Sequence, residues 1–217
     1  MDLFKVAYVL SLLALLLFWP LSYVTDIWSF FWPDSIFFIA ILSLLFFLRN
    51  KLNLSLPVYI FVTLGFLTHS LGTVGWYGES PIALQWDHIT HFFGIFGWSM
   101  LLFRAFEKNF TKFMSWKNVG IFLTLFLATQ GMGALVELTE FVGFLKFGFG
   151  DGALMFGTGD SQADGFNMDT AINWVGGGWI NTGWDLVFNF IGAIFGLVLS
   201  VLYHVWVNRS HRVVRRY

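Results

Sequence analysis

Trp184-Asp185-Leu186-Val187-Phe188-Asn189-Phe190-Ile191-Gly192-Ala193-Ile194-Phe195-Gly196-Leu197-Val198-Leu199-Ser200-Val201-Leu202-Tyr203 carries a single charge, Asp185, in an otherwise oily run. A helix needs about 20 such residues to cross the hydrocarbon core of a bilayer, so this stretch reads as a membrane span. Its exceptions fall on one stripe. Asp185, Asn189, Gly192 and Gly196 recur at intervals of four, three and four, which makes one helix face polar at one end and small further in. Small residues on a stripe suit close helix packing. A charge in hydrocarbon costs at least about 2.5–3.5 kcal/mol, so Asp185 needs a bundle interior, a partner or a bound ion.

The rest of the chain follows the same pattern. Its 217 residues are 57% hydrophobic, 21% aromatic and 12% charged, too apolar for an ordinary soluble domain. The expected fold is all-α, a single transmembrane domain over 1–217 with six spans at about 3–24, 35–50, 57–77, 86–107, 117–147 and 184–208. The first run ends without a small-residue cleavage motif and reads as a retained helix. A formal net charge of -1 argues against nucleic acid as partner, because phosphate binding needs a concentrated basic surface. The absence of cysteine excludes disulfides, thiolate metal sites and a cysteine nucleophile.

Basic residues alternate from loop to loop. Lys5, Arg49, Lys51, Arg104, Lys108, Lys112, Lys117, Arg209, Arg212, Arg215 and Arg216 fall on one side, and the positive-inside rule makes that side cytoplasmic, with both termini inside. Among the basic residues Lys146 alone falls on the other side, where Trp76, Tyr77, Trp86, Trp174, Trp179 and Trp184 are expected to form an aromatic belt. The expected topology is therefore multi-pass, with the polar site facing away from the cytoplasm. Residues 148–183, rich in Gly and Asp, read as an extracytoplasmic lid over the bundle, since a loop this long is usually functional. Asp160, Asp164 and Asp169 are its candidate substrate-facing acids.

Three polar patches then meet at one expected level in the outer leaflet. Asp87 and His91 share a helical face in Trp86-Asp87-His88-Ile89-Thr90-His91. Asp87 alone is equally explained by the positive end of a helix dipole. Glu137 and Glu140 are harder to explain blandly, because two acids three apart repel and need a cation, a shared proton or a base. Gln130 lies on their stripe, and Gly131, Gly133 and Ala134 permit close approach of another helix. Asp185 and Asn189 complete the set. His69 stands alone on an apolar helix, either as a core histidine or as a further substrate or lid contact; His204 and His211 belong to the cytoplasmic end. Imidazoles with carboxylates suit a divalent ion, Zn, Mn or Fe, with Ca if lid oxygens contribute. The expected metal ligands are Asp87, His91, Glu137, Glu140 and Asp185, with Glu140 and His88 as acid/base groups.

On these residues the chain resembles the YjdF-like group of bacterial and archaeal membrane proteins, itself similar in pattern to VanZ-like proteins. Asp87-His88-Ile89-Thr90-His91 resembles the group's Asp-(Arg/Lys)-x-x-His, with His88 in place of the usual basic residue. Glu137-Leu138-Thr139-Glu140 resembles its Glu-Leu-x-Glu. Gly159-Asp160, Asn181-Thr182-Gly183-Trp184-Asp185 and Gly192-Ala193 resemble its Gly-Asp, Asp-Thr-x-x-Asp and Gly-Ala helix, with Asn181 replacing the first Asp after an insertion. The likeness covers about 57–208 and implies a polytopic membrane protein; the VanZ-like pattern points toward the cell envelope.

Three functions compete. The first is a metal-dependent hydrolase or transferase acting on a membrane lipid or lipid-linked envelope substrate at the outer leaflet. The second is a small ion- or proton-coupled transporter, for which six helices without an internal repeat are meagre. The third is a non-catalytic subunit of a homo-oligomer or membrane complex, whose polar cluster fixes helix register.

Overall fold

Helices α1 (Leu3–Val24), α2 (Trp28–Leu48), α3 (Leu56–Leu71), α4 (Trp86–Phe106), α5 (Trp116–Phe147) and α6 (Ala171–Val214) make up the bundle. This is a computed structural model describing residues 2–24, 28–77, 80–110, 115–147 and 171–214, without the side chains of 28–31, 33, 141–147, 171–181 and 208–214. Among the described residues there is no strand. Five helices are long and apolar enough to cross a membrane, and Asp34–Leu48 is a shorter apolar helix. Their outer faces carry large apolar side chains open to the surroundings, among them Leu17, Phe47 and Leu127. Such a surface is stable when lipid covers it, and the helical backbone satisfies its own hydrogen bonds there.

Among the described residues the all-helical reading of the sequence holds, and three boundaries differ from it, one being the end of α6 at Val214, past the expected 208. α2 begins at Trp28, ahead of the expected 35, because Pro33 and Asp34 interrupt the oily run without stopping the helix. α6 begins at Ala171, so residues 171–183 of the expected lid are helical. Glycine in a helix costs about 1 kcal/mol relative to alanine, a penalty that Gly176-Gly177-Gly178 bears without breaking the helix. The rest of the lid, including Asp160, Asp164 and Asp169, lies outside the described residues.

α4 is the centre of the packing, with α3, α5 and α6 against it. Small residues set the distances. A Cβ at Gly65 would lie 2.9 Å from Gly94 Cα, one at Gly97 would lie 2.9 Å from Val62 Cα, and one at Gly192 would lie 2.5 Å from the Phe92 carbonyl oxygen. A Cβ at Gly196 would meet the Phe96 carbonyl oxygen at 2.6 Å. The small stripe of α6 therefore faces α4, as its spacing implies. On α5, Gly133 abuts Asn189, whereas Gly131 has no neighbour against it among the described residues.

The end of the bundle away from Trp86 is fastened by polar bonds. Glu107, in a short 3-10 turn after α4, pairs with Arg104 and accepts from Asn53 Nδ2 at 3.1 Å. His204 Nδ1 meets its other oxygen at 2.9 Å. Arg104 Nε also donates to the Asn53 carbonyl at 3.1 Å. His204 is thereby a structural residue joining α6 to the α4 terminus.

Candidate metal centre

The first turns of α4 carry Asp87, His88 and His91 inward, and each is only 8% exposed. α6 brings Asp185 and Asn189 to the same place, both fully buried, and α5 adds Glu137 at 6% exposure with Glu140 one turn on. The close α4–α6 contact at Gly192 holds Asp185 against α4; Gly133 does the same for α5 and Asn189. Sequence spacing placed these residues on three stripes expected to meet at one level. The structure brings the stripes together.

His91 is the hub. Its Nε2 lies 3.5 Å from Asp87 Oδ1 and 3.9 Å from Asp185 Oδ1. Its Nδ1 lies 3.5 Å from Glu137 Oε1 and 3.3 Å from Asn189 Oδ1. Two sets of ligand atoms converge within 4.8 Å, Asp87–His91–Asp185 and His91–Glu137–Glu140. These groups could hold a metal ion. A neutral imidazole offers one lone pair, so His91 serves one set as ligand and the other as donor. Asn189 Oδ1 only accepts, and its bond to Nδ1 places the ring proton there. Nε2 is then the ligating nitrogen, and it faces Asp87 and Asp185.

The neighbours fix this geometry. Gln130 Nε2 donates to the Asn189 carbonyl at 3.3 Å, extending the α5 polar face as its spacing suggests. His88 stacks on Phe188, with centroids 4.7 Å apart and planes 5° from parallel, and its Nε2 is 3.9 Å from Asp185 Oδ1. The Lys146 side chain lies outside the described residues.

His69 has other company. Its Nε2 meets Asp34 Oδ2 at 3.0 Å and its Nδ1 meets the Tyr77 hydroxyl at 2.9 Å, which satisfies both ring nitrogens. The sequence analysis read Tyr77 as a belt residue and did not single out Asp34, and so missed both pairings. Nothing in their spacing signals the pairing, because Asp34 is 35 residues from His69.

The predicted-membrane-protein family DUF2238 matches residues 5–206. The chain belongs to that family. Neither a curated protein nor a solved structure matches it. The family match takes in all or most of each of the six helices and every residue of the site, and it agrees with the exposed apolar surface in making this a membrane-embedded helical protein.

Proposed function

We propose that this DUF2238 protein is a metal-dependent hydrolase or transferase acting on a lipid or lipid-linked envelope substrate at the outer leaflet of a prokaryotic plasma membrane. The observation that carries the proposal is the arrangement around His91, whose two nitrogens face different acids. Asp87, Asp185 and His91 Nε2 would hold the ion, with Nδ1–H directed at Asn189 and Glu137. A ligating histidine usually has its other nitrogen oriented by such a partner. The oxygen-rich donor set favours Mn or Fe, with Zn and Ca as alternatives.

When bound, a divalent ion would make water nucleophilic at neutral pH and polarise the bond under attack. Glu140, half-buried beside Glu137, takes the role of general base. His88, held by its stack on Phe188, supplies a proton to the departing group. The resemblance to YjdF-like and VanZ-like proteins, the latter pointing to the envelope, supports this choice of substrate. The test is metal content of purified protein beside H91A and D185N. Wild-type protein is expected to hold about one ion, lost in both variants; wild-type protein that binds none of Mn, Fe, Zn or Ca refutes the reading.

One observation favours a second reading. Asp87 and Asp185 on one side of His91 and Glu137 on the other form an acid–imidazole–acid chain suited to passing a proton. Proton flux into proteoliposomes that is abolished by H91A, from protein free of metal, would select a carrier over the enzyme.

A further inference from the structure

The Asp34–His69–Tyr77 cluster lies outside the metal centre, and its hydrogen bonds have a direction. Asp34 is 1% exposed. As a carboxylate, its Oδ2 accepts from His69 Nε2 at 3.0 Å, and that arrangement puts the ring proton on Nε2. The lone pair is then on Nδ1, which accepts from the Tyr77 hydroxyl at 2.9 Å. A buried carboxylate orients an imidazole, and the imidazole faces a hydroxyl: these are the roles of a nucleophilic triad, recognised by geometry and not by chain order. Asp34 Oδ1 is buried and has no hydrogen-bond partner among the described residues.

The backbone is contorted to make this contact. Residues eight apart on a regular α-helix are separated by about 12 Å along its axis, too far for the pair to meet comfortably. After α3 the chain enters a single π-helical turn, Gly72–Trp76, in which Gly75 has a φ of 139°, a conformation that favours glycine. Tyr77 N–H bonds to the Gly72 carbonyl at 3.0 Å, and the Tyr77 ring lies where a Cβ on Gly72 would be. Both glycines are needed to fold Tyr77 back onto His69. π-turns of this kind are frequent at functional sites.

The surroundings indicate the ligand. Phe38 meets the His69 ring edge-on at 5.2 Å, and Trp76 meets Trp86 edge-on at 4.4 Å beside Tyr77. Among the described side chains the basic ones, Lys5, Arg49, Lys51, Arg104, Lys108 and Lys117, belong to the other end of the spans, which offers no counter-charge for a phosphate among them. We propose that Asp34, His69 and Tyr77 form a second reactive site, with Tyr77 as nucleophile toward the neutral acyl ester of an amphiphile. Tyr77 Oη would bond to the carbonyl carbon while its proton passes to His69 Nδ1. The ester C–O bond then breaks, and the departing alcohol takes that proton. Water hydrolyses the acyl-tyrosine by the reverse route. Asp34 acts through His69 as a positioning residue.

The probe is hexadecylsulfonyl fluoride, added to the full chain in detergent, with labelled tyrosines located by mass spectrometry. Attack forms an O–S bond and expels fluoride, with the proton again on His69. Tyr23 and Tyr203 serve as controls; they are 76% and 53% exposed, whereas Tyr77 is half-buried. Tyr77 is expected to label at least about tenfold faster than either, and D34N and H69Q to slow it on the order of 100-fold, the low end of acid/base assistance. Chelation of metal is expected to change nothing, which separates this site from the metal centre. Labelling of Tyr77 no faster than Tyr23, or unchanged in both variants, overturns the proposal. Should neither variant fold, the wild-type comparison decides: Tyr77 labelling at least about tenfold faster than Tyr23 and Tyr203 supports the site, and labelling no faster refutes it.

Discussion

Gly192 of α6 lies directly on the Phe92 carbonyl of α4, so close that a Cβ would sit 2.5 Å from the oxygen. The obstruction is backbone, which cannot swing aside. Gly192→Ala should therefore push α6 away from α4 and cost about 1–3 kcal/mol, the usual range for overpacking. Because Asp185 rides on α6, metal binding should fall with thermal stability. Gly131→Ala, with no neighbour against it among the described residues, should leave both unchanged in a melting assay on the same preparation.

Asn189 tests the assignment of the His91 proton. Asn189→Ala removes the acceptor of Nδ1–H but none of the proposed ligands. Mn titration should show the stoichiometry retained and the affinity lowered about 10–100-fold, as is usual when the orienting partner of a ligand is lost. His91→Ala should abolish binding.

Glu107 joins three segments at the opposite end through Arg104, Asn53 and His204. Glu107→Ala leaves these partners without their acceptor, and losing hydrogen bonds to a charged group costs about 1.5–3 kcal/mol each before relaxation. Melting temperature should drop while metal affinity holds, because the ligands sit at the other end.

The lipid-facing and interior sides of the helices should respond oppositely to truncation. Leu197 is fully buried, whereas Leu127 is 67% exposed. Leu197→Ala should destabilise the protein by about 2–5 kcal/mol through the cavity it leaves. Leu127→Ala should be nearly neutral when stability in detergent or nanodiscs is followed by unfolding.

Much of the bundle was legible because a bilayer imposes length and polarity together. The α6 stripe of Asp185, Asn189, Gly192 and Gly196 announced both a packing face and a polar end, and the structure uses it for both. Glu137 and Glu140 announced themselves by being expensive in hydrocarbon. What the pattern could not carry was pairing between distant segments. His69 looked isolated because its partners come from the start of α2 and from beyond a π-turn, and no periodicity spans such a break. The helical start of α6 was hidden by its glycines, whose low helix propensity suggests a loop.

Asp185 and His204 ride on one uninterrupted helix, nineteen residues and about 28 Å apart. That distance is close to the thickness of the oily slab, so the two side chains report on its opposite faces. A rod cannot tilt at one end alone. A fluorophore placed near His204 would therefore report on the far end of the same helix that carries Asp185.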